Sequence, residues 1–526
     1  MLVIGITVMI YMFIIAWLGY LGYKHTKNAS DYLLGGRQVN TFLMAISYGA
    51  TFISTSAIVG FGGFAAAFGM GIQWLCLLNM LVGVIIAFIF FGKRTRSLGE
   101  KYNANTFPQF LGLHYKSRTV QIFIAAVIFI GMPLYTAVVM KGGAVFIEKM
   151  FNMDYNVALL MFTIVVAAYV ITGGIRGVLY TDTFQAIIMV AFMLSLLVIF
   201  YNKLGMGFTE ANRALADIAN LVPEKFKAIG HQGWTRMPVT GSQQWYTLVT
   251  SLIFGVGIGC LAQPQLAVRF MMVKSSKQLN RGIFIGCLFI AITVGVIYHI
   301  GPLSNLYFLQ TEGVVATEAV KDIDKIIPTL INNIMPQWSG VFFMLCIISA
   351  SMSTLSALFH TMGSAFGTDI FPKLGRRKDS HSTVGVRFGI LVSIIISYTI
   401  CYVLSAGVIA RGTALFMGVC AATFLPAYVC SLYWKKVTRA GAVASLWVGA
   451  TVSLFTMTFL HKAEAAPIGL CRMLTGKDVL IDVFPWFAID PIVFALPLST
   501  IMIIVVSLFT QKKQLTINNA QLTIDD

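Results

Sequence analysis

The stretch TFLMAISYGATFISTSAIVGFGGFAAAFGMG, residues 41–71, decides the fold. It is apolar and longer than the ~20 residues a helix needs to cross a bilayer. Yet it holds Gly49, Gly60, Gly62, Gly63, Gly69 and Gly71, with Ser54, Thr55 and Ser56 at its centre. Glycine and hydroxyl side chains weaken a helix. Small residues also serve tight packing between helices. Glycine density around a central polar cluster favours a discontinuous helix whose unwound carbonyls line a site near the bilayer midplane.

The rest of the chain fits a membrane setting. Of 526 residues, 58% are hydrophobic and 11% charged, against about 25% charged in a soluble domain. Thirteen apolar spans are expected, near 1–23, 40–67, 72–92, 119–148, 157–174, 179–202, 243–270, 282–305, 326–364, 384–408, 413–432, 438–461 and 483–509. Backbone in lipid must satisfy its own hydrogen bonds, so the expected fold is an all-α polytopic membrane protein. The segment Met1–Tyr23 lacks a charged leader and a small-residue cleavage site, which predicts a retained first helix. The polar stretches Asn202–Trp245, Ser304–Gln337 and Lys462–Asp482 are expected loops, and the tail Gln511–Asp526 is expected to be disordered. Eight cysteines form no CxxC pair, which argues against a disulfide framework or metal site.

The net charge of +17 raises nucleic acid as a partner. Its distribution argues against one. An odd span count puts the termini on opposite sides. With the N-terminus outside and the C-terminus cytoplasmic, 24 of the 37 Lys and Arg are cytoplasmic, 12 are outside, and Lys141 lies within a span. Clusters such as Lys93/Arg94/Arg96, Lys274/Lys277/Arg281, Arg376/Arg377/Lys378 and Lys435/Lys436/Arg439 follow the positive-inside rule. The expected place is a bacterial inner or plasma membrane, with lipid as partner and a monomer as the expected assembly.

A second interrupted span lies five spans later. SLIFGVGIGCLAQPQLAVRFMMVKS (251–275) holds three glycines and Pro264. Two broken spans, each opening a block of five, suggest inverted repeats. Between them and the C-terminus lies IISASMSTLS (347–356), with five hydroxyls in an apolar span. Such hydroxyls can back-bond to their own helix. Alternatively, Ser353, Thr354 and nearby carbonyls offer neutral oxygens to a hard monovalent cation.

Four motifs in order, YLLGGR (32–37), GGIRGVLYTDTFQA (173–186), AQPQLAVRFMMVKS (262–275) and ASMSTLSALFHTMGSAFGTDIF (350–371), resemble the sodium:solute symporter family over essentially the whole chain. The resemblance implies a leucine-transporter-type 5+5 inverted-repeat core and sodium-driven uptake by alternating access. Its parts are an extra N-terminal helix and first cytoplasmic loop at 1–39, a first repeat at 40–202 and an extracellular loop at 203–242. A second repeat at 243–432, two C-terminal helices at 433–510 and a cytoplasmic tail at 511–526 follow. The co-transported sodium ion takes, by that resemblance, the carbonyls of Ala50, Ile53 and Ala350 and the hydroxyls of Ser353 and Thr354. Ser349, Ser351 and Ser356 are left to packing or cavity lining.

Asp182 followed by Gln185 fits a capping box. The resemblance places Asp182 near the ion's inward exit, and the two roles are compatible. Lys141 is either a snorkelling cation, two turns from Glu148, or a partner for a solute carboxylate, with Gly142 and Gly143 leaving room. Gln263 and Pro264 stand at the second break, with Arg269 an interface anchor or inner-gate partner. The candidate solute residues are Phe52, Ser56, Gln73, Trp74, Asn79, Lys141 and Gln263.

Sugar-transporting relatives place an amide and an acid where this chain has Ala57 and Cys76. Asn79 alone keeps an amide in reach. Proline-transporting relatives commonly carry an acid where this chain has Phe52. A mostly apolar lining suits a small carboxylate-bearing solute: a monocarboxylate, a pantothenate-like acid or an amino acid. The alternatives are a sodium/sugar or sodium/proline symporter, or a proton-coupled symporter of the same fold. The last would need a titratable group beside Ser353 and Thr354, and the sequence shows none. An enzyme would need paired acids or a His/Cys constellation, and neither HExxH nor GxSxG occurs.

Overall fold

The computed structural model describes residues 2–25, 29–336, 340–374, 383–404 and 407–522. The cluster Arg376/Arg377/Lys378 lies outside them. Sixteen helical segments matter for the site. They are α1 (Leu2–Lys24), α2 (Thr41–Phe52), α3 (Ser56–Phe68), α4 (Met70–Lys101), α5 (Arg118–Phe151), α6 (155–173), α7 (Gly174–Leu204) and α8 (243–262). After these come α9 (Pro264–Met272), α10 (Ser276–Glu312), α11 (Ile323–Ile334), α12 (Gly340–Ile370), α13 (Thr383–Val403), α14 (Ile409–Tyr433), α15 (Arg439–Phe459) and α16 (Ile492–Leu522).

Local signals start these helices. The Asn40 side chain accepts from Phe42 N–H at 2.8 Å and caps α2. Ser117 caps α5 and Asp154 caps α6, each satisfying a backbone donor that has no partner in the first turn. At Gly174 the backbone takes φ 58°, with the Tyr32 ring over it. That conformation suits glycine, and it sets the turn between α6 and α7 expected at Thr172–Gly174.

Among the described residues, 11 helices are long and apolar enough to cross a membrane, and the bent pair α2/α3 brings the number to 12. The apolar helix Tyr155–Ala168 is shorter and stands at the fifth expected span. The ninth expected span, 326–364, is corrected. Its first part is α11, a separate amphipathic helix that ends at Ile334, and the membrane helix starts at Gly340. The tail is corrected too, because α16 runs helical to Leu522. Residues 511–522 contain no Gly or Pro to stop it.

Helix α12 is the hub. It packs on α2, α5, α6/α7 and α13, and 89% of its most apolar window is buried. The outer elements are α1 and the pair α15/α16, which pack mainly on α6/α7 and on each other respectively.

Candidate functional site

The site starts where α2 stops. Ile53 leaves the helix (φ −91°, ψ 103°), and α3 resumes at Ser56 with a bend of 51°. The expected break is therefore present. The last carbonyls of α2 lose their intrahelical partners, and α12 supplies new ones. Ser353 Oγ donates to the Ala50 carbonyl at 2.6 Å, and Thr354 Oγ1 donates to the Thr51 carbonyl at 3.1 Å. Ala50, Ile53, Ala350, Ser353 and Thr354 are all buried. Hydroxyl and carbonyl oxygens from two helices 300 residues apart in sequence thus converge at one depth. Neutral oxygens of this kind suit a hard monovalent cation. Among the described residues no group of three His, Cys, Asp or Glu side chains could hold a metal ion.

The remaining hydroxyls of the IISASMSTLS stretch have other tasks. Ser349 Oγ meets the Tyr11 hydroxyl at 3.1 Å, and Gln185 donates to the same hydroxyl at 3.1 Å. Ser351 donates to Thr55 at 3.3 Å, and Ser356 bonds back to the Ser353 carbonyl at 2.9 Å.

One turn before the break lies a dry ionic cluster. Asp182 and Arg269 meet at 3.1 Å with 0% and 1% of their side chains exposed. Ser47 donates to Asp182 at 2.5 Å, Thr51 does so at 3.4 Å, and Arg269 also reaches both hydroxyls. The capping-box expectation is corrected. Asp182 lies eight residues inside α7, which starts at Gly174, and Gln185 is engaged with Tyr11. Of the two roles open to Arg269, the structure gives it the pairing with Asp182.

The second break lies at Gln263 (φ −72°, ψ 117°), and Pro264 is the first residue of α9, a position where its missing N–H costs nothing. Gln263 donates to the Gly259 carbonyl at 3.3 Å and accepts from Gln265 at 3.2 Å. A Cβ on Gly83 would stand 3.8 Å from the Phe52 ring and 3.2 Å from Cys260 Sγ. Ser56 Oγ, Asn79 Oδ1 and Gln265 Oε1 are buried with no hydrogen-bond partner among the described residues. Sequence reasoning missed Tyr135, whose ring stacks on Phe416 at 5.4 Å and whose hydroxyl lies beside Ser54. An aromatic hydroxyl within the apolar run PLYTAVV was the available signal.

Three candidate solute residues lie elsewhere. Trp74 is 57% exposed on the outer surface of α4, as an interfacial aromatic would be. Gln73 donates to the Gly295 carbonyl at 3.2 Å and ties α4 to α10. Lys141 is turned into the protein. It is 9% exposed, and its ammonium donates to the Leu404 carbonyl at 2.9 Å near Asp324. The room expected at Gly142 and Gly143 is taken. A Cβ on Gly142 would stand 3.1 Å from Thr55, and one on Gly143 would stand 3.0 Å from Ser351. These glycines bring α5 against the break and against α12.

On the other side of the break from Asp182, a cavity of about 380 Å³ is bounded by Phe64 and Phe68 of α3, Ser251 of α8, and Asp322, Arg411 and Asp490. Burial pushes the Asp490 carboxyl up to about 6.

The profile of the sodium:solute symporter family matches residues 32–449. The high-affinity proline transporter PutP of Bacillus subtilis is 28% identical over 440 residues, covering 82% of this chain and 88% of that one. A sodium/proline symporter of Staphylococcus aureus is 27% identical over 503 residues, covering 93% and 91%. Among solved structures, the substrate-bound, outward-open state of a Na+-coupled sialic acid symporter superposes with a TM-score of 0.73 at 17% identity, covering 97% and 98%. The nucleobase-cation-symport-1 transporter Mhp1 superposes at 0.52 and 11% identity, covering 90% and 93%. These likenesses show the leucine-transporter-type fold.

Proposed function

The chain belongs to the sodium:solute symporter family and is a sodium-coupled symporter of the membrane; we propose that its solute is small and carries a carboxylate, with proline the first candidate. The sodium half rests on one observation, the meeting of Ser353 and Thr354 with the Ala50 and Thr51 carbonyls. Ala50, Ile53, Ala350, Ser353 and Thr354 are the proposed ligands. Their oxygens come from α2 of the first repeat (40–202) and α12 of the second (243–432), so moving one repeat against the other takes the ligands apart and releases the ion. Asp182 Oδ1 is buried with no hydrogen-bond partner among the described residues. It offers a negative oxygen to a cation leaving past the end of α2.

The membrane potential contributes about 2.3 kcal/mol per 100 mV for each inward sodium. Coupling then requires that sodium favour the solute-competent state. The basic clusters support an N-terminus outside and a cytoplasmic C-terminus.

The solute half draws on the two relatives, which are named for proline. At the break, the positive end of the α3 dipole suits a carboxylate. Phe52, Tyr135 and Phe416 suit a partly apolar body, and Ser56, Asn79 and Gln263 are the proposed polar groups. Phe52 stands where an acid is common among proline-transporting relatives, so amino acids with and without a ring belong on the same panel.

The test is uptake of labelled proline, other amino acids, monocarboxylates, pantothenate and glucose into proteoliposomes, with and without a sodium gradient. Sodium-driven uptake of a carboxylate-bearing solute is expected. Uptake driven by a proton gradient alone, or confined to glucose, would overturn the proposal.

A further inference from the structure

Away from the transport path, α1, α6 and α13 enclose a groove of about 610 Å³ that opens to the side of the molecule. Its origin is a pair of glycines. A Cβ on Gly22 would stand 2.2 Å from the Gly177 nitrogen, so α1 and α7 touch backbone to backbone there. Three residues earlier, a Cβ on Gly19 would meet nothing within 4 Å. The helices therefore meet at one end of α1 and leave open space one turn away.

The walls of that space are apolar, with Met12 and Ile15 from α1 and Ile164 and Ile171 from α6. The end of the groove is not. Arg387 of α13 lines it, exposed, together with Tyr20 and Tyr23, which are 56% and 58% exposed. Arg387 lies beside the Tyr32 hydroxyl and forms no ion pair with a described residue. The carboxylate near that surface, Asp31, is engaged with Arg176 at 3.5 Å. All of this lies at the end of α1 that carries Lys24, His25 and the loop with Arg37, the side with the excess of basic residues.

We infer that this groove holds one anionic phospholipid, with an acyl chain between α1 and α6 and the headgroup phosphate on Arg387. An apolar slot in the membrane plane takes hydrocarbon. A guanidinium at its mouth, in no ion pair with a described residue, selects a negative headgroup, since arginine matches phosphate through paired N–H donors. Tyrosines at the mouth sit at headgroup level, as interfacial aromatics do. Basic pockets between membrane helices on the cytoplasmic side favour anionic lipid for the same reason. A free phosphate ion would use Arg387 but leave the groove unfilled, so the occupant we assign is the lipid.

The full-length protein is equilibrated in an equimolar mixture of phosphatidylglycerol and phosphatidylethanolamine, and retained lipid is read by native mass spectrometry. Retention of one phosphatidylglycerol in preference to phosphatidylethanolamine is expected. Arg387→Gln should lower that preference about five-fold, the effect of one basic residue at an anionic surface. Gly19→Leu, whose Cβ meets nothing within 4 Å, projects into the open space and should lower retention of both lipids. Unchanged retention in either variant would overturn the assignment, as would displacement of the lipid by inorganic phosphate. Both positions are remote from the sodium site, so sodium-driven uptake serves as the check that each variant is folded.

Discussion

Beside the end of α2, Asp182 and Arg269 meet with 0% and 1% of their side chains exposed; at the far end of α5, Glu148 and Lys325 meet with 22% and 26% exposed. The two pairs have similar lengths, 3.1 and 2.9 Å, yet different surroundings. The buried pair is bonded to Ser47 and Thr51, so parting it strands two charges in a dry site. The outer pair can exchange its partner for water. The buried contact is therefore the costlier one to part, and the more exposed one is a contact that solvent can replace.

The largest expected effect comes from breaking the inner pair alone. Arg269→Ala leaves Asp182 unpaired, a loss of about 3–5 kcal/mol. Thermal melting in detergent should drop steeply and uptake should fall more than tenfold. Asp182→Asn combined with Arg269→Gln removes both charges and should recover much of the melting temperature. A native-like melt for Arg269→Ala would end the comparison.

Lys141→Met comes next, removing a charged hydrogen bond to the Leu404 carbonyl worth about 1.5–3 kcal/mol. Because the ammonium faces protein, every solute should be affected alike. A selective loss for anionic solutes would place Lys141 in the solute path after all. Between the two ends, Ser353→Ala with Thr354→Ala should raise the sodium concentration for half-maximal uptake about tenfold, or about 1.4 kcal/mol. Unchanged sodium dependence would remove those hydroxyls from the ion site.

Lys325→Ala should cost only about 0–1 kcal/mol and matter less at high salt. Apart from that scale, the same end should show a change of pH slope. Burial, and then Asp322 beside it, push the Asp324 carboxyl from 3.8 to about 7. The folded chain thus holds that proton more tightly than the unfolded one. The contribution to stability is full below about pH 4 and is lost as pH rises to about 7. Asp324→Asn has no such proton, so its melting temperature should vary less with pH over that window.

The sequence carried the membrane class and both broken spans, and the family resemblance carried the pairing of Ser353 with Ala50. Hydroxyls in an apolar run have few uses, and a run of glycines marks a break wherever it falls. It did not carry what α10, α11 and the end of α13 bring to a side chain. Lys141 is one residue from Gly142 in sequence, but its partner Leu404 is 263 residues away. Gln73 and Trp74 are adjacent, yet one turns onto α10 and the other outward, because the face of α4 is set by packing rather than by composition. The pairing of Asp182 with Arg269 crosses from α7 to α9, and neither residue announces the other locally.

One small contact ties these ends together. Val39, just before α2, donates its N–H to the Met272 carbonyl at 3.1 Å, forming a parallel bridge with Val273 at the end of α9. With Arg269 already gripping Ser47 and Thr51, the inner halves of both broken helices are stitched at top and bottom into one lever. One half ends at the proposed sodium ligands and the other begins at Gln263, beside the proposed solute groups. A single swing of that lever would uncover both, which would leave little opportunity for either cargo to slip through without the other. The tightness of the stoichiometry would then reside in a backbone hydrogen bond that touches neither cargo.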